Sequence, residues 1–223
     1  MKPLVGLLAL VLAIAVAALL AEAGAFGGAW IMHGRGLYDD EIRWLQGFQP
    51  AMRWEKGVAR LIARRERERI ERALQADRVD RAVHLFRAAR SQVRAAGGAL
   101  DPDLMMLGIE TYRRAADRMA KHGRFAEAAD WGDSLLVLAI RAPAPEHRYA
   151  ALAGFMEGLE LRARDGKPCA ALAHLQWAKR GLGGVIPGIG ANVEEDLTMQ
   201  CAEQRRSEEQ TRRGPARARE QGR

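Results

Sequence analysis

Aromatic side chains make up only 6% of the 223 residues, and cysteine occurs twice, at Cys169 and Cys201. Ala, Arg and Leu dominate instead, a mix that favours helix over strand. The five histidines, His33, His84, His122, His147 and His174, are scattered one to an element. No His-x-x-x-His or Cys-x-x-Cys spacing puts two metal ligands on one helix face, so no metal site is expected. No local Ser-His-Asp or Cys-His arrangement is present, and Glu110, Asp117, Glu127, Asp130 and Asp133 fall at spacings that turn them outward, Asp117 within reach of Arg113 four residues away. Catalysis and a bound cofactor are therefore not expected. The glycine-rich run Gly181–Gly190 follows a helix and lacks the Gly-Lys-Ser/Thr ending of a phosphate loop, so it reads as a linker.

With 48% hydrophobic residues the chain can bury one sizeable core. Its net charge of +7 is uneven: residues 53–100 carry 13 basic against 6 acidic residues, and residues 206–223 carry 6 against 3. Such basic segments suit anionic lipid, an acidic protein or an anionic polymer, but the alternating signs of Arg64-Arg65-Glu66-Arg67-Glu68-Arg69 suit an exposed helix better than a nucleic-acid arm.

The run Leu4–Ala21 is uncharged, and apolar character resumes from Ala23 to Met32 with only Glu22 between. Residues 1–32 are expected to cross a bilayer once, with Trp30 at the interface and Gly24 and Gly28 at the small-xxx-small spacing that lets membrane helices pack closely. Ala21-Glu22-Ala23 also has the form of a signal cleavage site, which would release a soluble protein. Basic residues flank the run on both sides; its export-like form places the long C-terminal part in the periplasm, tethered to the inner membrane. Residues 33–50 read as a juxtamembrane linker with an amphipathic piece, Tyr38–Phe48, that presents Ile42, Leu45 and Phe48 on one face.

The remainder reads as helical hairpins. In 102–140, Leu104, Leu107, Gly108, Tyr112, Ala115, Ala116, Met119 and Ala120 line one helix, and Phe125, Ala128, Ala129, Gly132, Leu135, Leu136, Ala139 and Ile140 line the next. Asp101 caps the first, Pro102 occupies its first position, Gly123 turns the chain and Pro143 closes the second. A preceding hairpin covers Ala51 to Gly97-Gly98. A following one opens at Pro145 with Tyr149, Leu152, Ala153, Met156 and Leu159, and returns from Pro168 with Cys169, Leu172, Ala173 and Trp177. Asn192 caps a last helix bearing Val193, Leu197 and Cys201, and composition from Ser207 reads as a disordered basic tail.

Tyr112, Ala116, Met119, Gly123, Phe125 and Ala128 resemble a tetratricopeptide repeat, in which small residues sit where the helices cross; Gly132 departs from it, at a position that usually carries an aromatic. Ala82, Ala128 and Ala171 are 46 and 43 residues apart, longer than that family's repeat of about 34. The expected architecture is all-α: a transmembrane helix, then a short α-solenoid of three hairpins with a capping helix over 51–206, and a tail over 207–223. The resemblance implies a scaffold that holds other membrane or periplasmic proteins, with the bilayer contacted through residues 4–32 and nucleic acid an unlikely partner. An accessory single-pass subunit of a larger membrane complex is the other reading. Cys169 and Cys201 come to similar ends of two antiparallel helices, which permits a disulfide; the alternative is two buried thiols.

Overall fold

The computed structural model describes residues 2–48, 55–95, 98–184, 186 and 191–220. Those residues form helices and turns, with no strand among them. The helices are α1 (Lys2–Gly34), α2 (Tyr38–Phe48), α3 (Glu55–Gln75), α4 (Val79–Ala95), α5 (Pro102–Lys121), α6 (Phe125–Arg141), α7 (Pro145–Arg164), α8 (Pro168–Gly181) and α9 (Ala191–Glu220). Short turns join α3 to α4, α5 to α6 and α7 to α8, so each pair folds back as a hairpin. Proline stands in the first turn of α5, α7 and α8, where its missing N–H costs no hydrogen bond. The Asp103 amide donates to the Asp101 carboxylate at 2.9 Å, so Asp101 is the N-cap of α5. Gly123 and Gly166 turn the second and third hairpins at φ of 73° and 77°. Side chains there would be strained.

One continuous core runs from Ile70 of α3 to Leu197 of α9, with Phe86, Tyr112, Leu135, Leu138, Phe155 and Leu175 among its buried members. The tightest fit is glycine on glycine. A Cβ at Gly132 would lie 2.9 Å from the Gly158 Cα, and the converse distance is the same, so the backbones of α6 and α7 touch. Gly132, where the tetratricopeptide pattern would put an aromatic, is thus the residue that admits α7. Gly108 does similar work for α5, since a Cβ there would fall 2.0 Å from the Phe86 ring.

Of the packing residues read from sequence, Tyr112, Ala116 and Ala128 are buried, Met119 and Phe125 are half-buried, and Gly123 is exposed in its turn. The third hairpin differs from expectation. Tyr149 is 54% exposed and Trp177 48%, and Ala153 and Ala173 are exposed as well. Leu152 and Leu159 are buried as expected, Ala151, Gly154, Phe155 and Gly158 are buried on α7 beside them, and α8 buries Ala171, Leu175 and Ala178 instead. The cause is that α7 packs between α6 and α8 and also touches α5. A helix with neighbours on several sides buries more than one stripe, which a single-face pattern misplaces.

The last helix begins at Ala191, so Asn192 lies inside it rather than at the cap. It continues to Glu220, across residues that composition reads as disordered, because Glu, Gln and Arg are also strong helix formers and Gln204 bonds Glu208 at i+4. Residues 221–223 of the expected tail lie outside the described residues. Cys169 of α8 and Cys201 of α9 are joined by a disulfide, with Cα atoms 4.6 Å apart. Closing a loop with a sequence separation of 32 is worth about 3–4 kcal/mol in the chain-entropy model. Cys169→Ser with Cys201→Ser is therefore expected to lower the melting temperature, and thiol labelling of the denatured, unreduced wild type is expected to find no reactive cysteine.

Candidate functional site

Two features outside the hydrophobic core are built from specific side chains: a junction that ties α1 to the hairpins, and a series of clefts along α3 and α5.

The junction begins with small residues. Ala25 and Ala29 are buried under α2, and a Cβ at Gly28 would meet the Trp44 ring at 2.9 Å. Trp44 lies across this flat patch, donates its indole N–H to the Ala25 carbonyl at 2.9 Å, and meets the Phe48 ring at a tilt of 52° with centroids 4.9 Å apart. A Cβ at Gly24 would meet nothing. Gly28, one of the two glycines expected to pack membrane helices, seats a tryptophan of the same chain. The expected anchor and linker also meet inside this fold. Helix α1 runs unbroken to Gly34, and its residues 25–34 pack on α2, whose first turn is Asp39, Asp40 and Glu41.

Glu41 is 1% exposed, yet both of its carboxyl oxygens have partners. Arg65 of α3 donates to it at 2.9 Å and His33 Nδ1 of α1 lies 3.0 Å away, so one carboxylate binds three helices. Arg65 also bonds Glu68 at 2.8 Å, Arg64 reaches Glu68 at 3.2 Å, Arg69 pairs with Asp39, and the Arg72 guanidinium lies 3.9 Å from the Tyr38 ring centroid. Truncating one partner of such a buried pair leaves the other uncompensated.

Two carboxylates on α3 respond oppositely. Burial pushes the Glu66 carboxyl above its ordinary value, and the nearby Arg69 charge only partly restores it. Burial pushes Glu68 the same way, but hydrogen bonds and charge from Arg65 and Arg64 outweigh it and hold Glu68 below its ordinary value. A raised folded-state value means that ionised Glu66 costs stability as pH rises through the carboxylate range; a lowered one means that Glu68 contributes stability above that range and loses it in acid. Glu66→Gln is accordingly expected to raise the melting temperature at pH 7 and to change it little at pH 3. Glu68→Gln is expected to lower it at pH 7.

Along the hairpins, α3 and α5 flank an open cleft of about 610 Å³. Arg67 and Asp103 form an ion pair across it, Glu71 and Glu110 add charge, and Met106 stands 42% exposed in its wall. The acids considered for chemistry are mostly held in ion pairs: Glu110 with Arg114 at 2.6 Å, Glu127 with Arg124 at 2.6 Å, and Asp130 and Asp133 with Arg162 at 3.4 and 2.8 Å. Arg113 reaches Glu157 on α7 at 2.9 Å, where sequence pairs it with Asp117. The histidines stay apart: His33 faces Glu41, His174 lies 2.9 Å from Asp133, His122 bonds the Arg118 carbonyl, and His147 is buried. Hydroxyls of Thr111, Ser134 and Thr198 donate to carbonyls four residues back in their own helices. Among the described residues no group of three or more His, Cys, Asp or Glu side chains could hold a metal ion. What the arrangement offers is charge, shape and exposed apolar surface suited to binding.

Sequence reading missed the junction, because His33 and Glu41 are 8 residues apart and Glu41 and Arg65 are 24 apart. Its one local signal was Asp39-Asp40-Glu41 beside the aromatic-rich face of a short helix. Comparison with protein-family models, with characterised proteins and with solved structures finds no match.

Proposed function

We propose that this protein is a membrane-tethered helical-repeat scaffold, resembling tetratricopeptide proteins, whose hairpins hold partner proteins of the cell envelope without catalysing a reaction. The observation that supports it is the order of helix contacts. Helix α3 touches α5 and α5 touches α7, while α4 touches α5 and α6 touches α7. The first helices of the three hairpins are thus neighbours in a row, the relation that stacked repeats use to build an extended binding surface. The cleft with Met106 and the Arg67–Asp103 pair lies between two of these first helices, where a partner would meet both apolar and charged groups.

Helix α1 is long and apolar enough to cross a membrane. Its candidate span by length and composition is Leu10–Gly34, and we place the crossing toward the N-terminal side of it. Because α2 brings Asp39, Asp40, Glu41 and Arg43 alongside residues 25–34, that part belongs in water, and Leu4–Gly24 suffices to cross a hydrocarbon core of about 30 Å. The hairpins then stand on a short helical stalk, which we assign to the periplasmic side of the inner membrane. The stalk favours a second reading. Phe26 and Trp30, 39% and 77% exposed, carry the apolar surface of α1 above Gly24, as a single-pass subunit packed against partner helices would need.

Affinity purification of the full chain in mild detergent separates the two. A scaffold is expected to bring down several partners that are lost together when Met106→Glu spoils the cleft. One partner at fixed stoichiometry, retained by Met106→Glu and lost with Trp30→Glu, would replace the scaffold with the subunit.

A further inference from the structure

Helices α2, α3 and α4 enclose a cleft of about 290 Å³ into which Arg69, Arg72, Arg78 and Arg81 converge, with Asp39 as the acid in its lining. A neighbouring cleft of about 470 Å³ shares Asp39, Arg69 and Arg81 with it and adds one further arginine, Arg43, one histidine, His84, and one further acid, Glu66. The first cleft is thus the more strongly positive. Two of its arginines are fixed in place: Arg69 by Asp39, and Arg72 by stacking on Tyr38 and by Glu68 at 3.6 Å. Each nevertheless keeps a buried donor, Arg69 Nε and Arg72 Nη1, without an acceptor among the described residues. Both atoms are closed to solvent, so a ligand in the cleft would meet the other N–H groups of these guanidinium heads.

Arg78 and Arg81 add a second observation. They flank the start of α4, where the helix dipole is positive and cations are disfavoured. Asp80, the acid of that turn, reaches away to Arg118 at 3.5 Å on α5, and neither Arg78 nor Arg81 has an ion-pair partner among the described residues. Four guanidinium groups beside a helix N-terminus form a surplus of donors that an oxyanion with several oxygens would satisfy, by the forked geometry that arginine offers to phosphate.

We propose that this cleft is a binding site for a phosphate group carried by a soluble molecule. A phosphate group presents more oxygens and more negative charge to these arginines than a carboxylate does. A lipid headgroup is the other source of the same chemistry, and position argues against it. On the membrane reading given above, α1 rises about 15 Å between Gly24 and Gly34, beyond a headgroup layer roughly 5–7 Å deep, and Tyr38 follows at its top. Only this choice of source rests on that reading.

The test is calorimetric titration of the full chain in phosphatidylcholine nanodiscs with pyrophosphate, at constant ionic strength, with acetate as the control anion. Saturable one-to-one binding of pyrophosphate is expected, with at least tenfold weaker binding of acetate. Arg78→Gln with Arg81→Gln is expected to weaken pyrophosphate binding at least tenfold while helix content and melting stay unchanged, since both side chains are exposed. Absence of binding, equal binding of acetate, or binding indifferent to the double substitution would overturn the site. Repeating the titration in phosphatidylglycerol-containing discs separates the sources. Unchanged affinity supports a soluble ligand; a loss of tenfold or more, absent when only zwitterionic lipid is present, would overturn the soluble source in favour of the headgroup.

Discussion

Gly158→Val is expected to force α6 and α7 apart and to cost about 3 kcal/mol or more of stability. A Cβ at this position already lies 2.9 Å from the Gly132 Cα, and valine adds two methyl groups beyond it. The obstacle is backbone, so no rotamer change relieves it. Valine gains roughly 0.5 kcal/mol over glycine in helix propensity, too little to offset the clash. Thermal melting followed by helical circular dichroism checks this, and Gly132→Val should behave alike because the contact is mutual. A wild-type melt in either variant would mean that α6 and α7 do not meet at these glycines.

Ala128→Glu is expected to destabilise the middle hairpin by about 3–5 kcal/mol, the penalty of an uncompensated buried charge. Ala128 is fully buried, four residues into α6. Burial would raise the new carboxyl's folded-state value, so the penalty should shrink as pH falls and the group neutralises. Melting at pH 7 and at pH 4 measures both parts; equal loss at the two would point to steric crowding rather than charge.

These residues also show what was legible in the chain. Hairpin boundaries were, because prolines at 102, 145 and 168 and the glycine at 123 act through local backbone geometry that no distant contact overrides. The facing stripes of α5 and α6 were legible where one side of a helix meets protein. Met105, Ile109 and Leu138, all buried, were missed because these helices have more than one neighbour. On α7, Gly154 and Gly158 stand four apart, a signal of close helix approach that a search for bulky apolar residues passes over. Tyr149 and Trp177 were placed inward for their size, but the room beside α6 and α9 goes to alanine, glycine and leucine. The junction was illegible for a different reason. Glu41 looked like one of three acids at a helix start, and Arg65 like one of several arginines on a solvated face. Only the fold brings them to 2.9 Å and closes water off from the carboxylate.

The same junction bears on the tether, since a folded stalk at residues 25–34 is compatible with a chain that keeps its apolar segment and with one that begins at Gly24. Intact-mass measurement of the protein recovered from carbonate-washed membranes decides between them. A tethered scaffold requires the full 24.6 kDa chain in the washed membrane fraction. A soluble product whose first residue is Gly24 would contradict it.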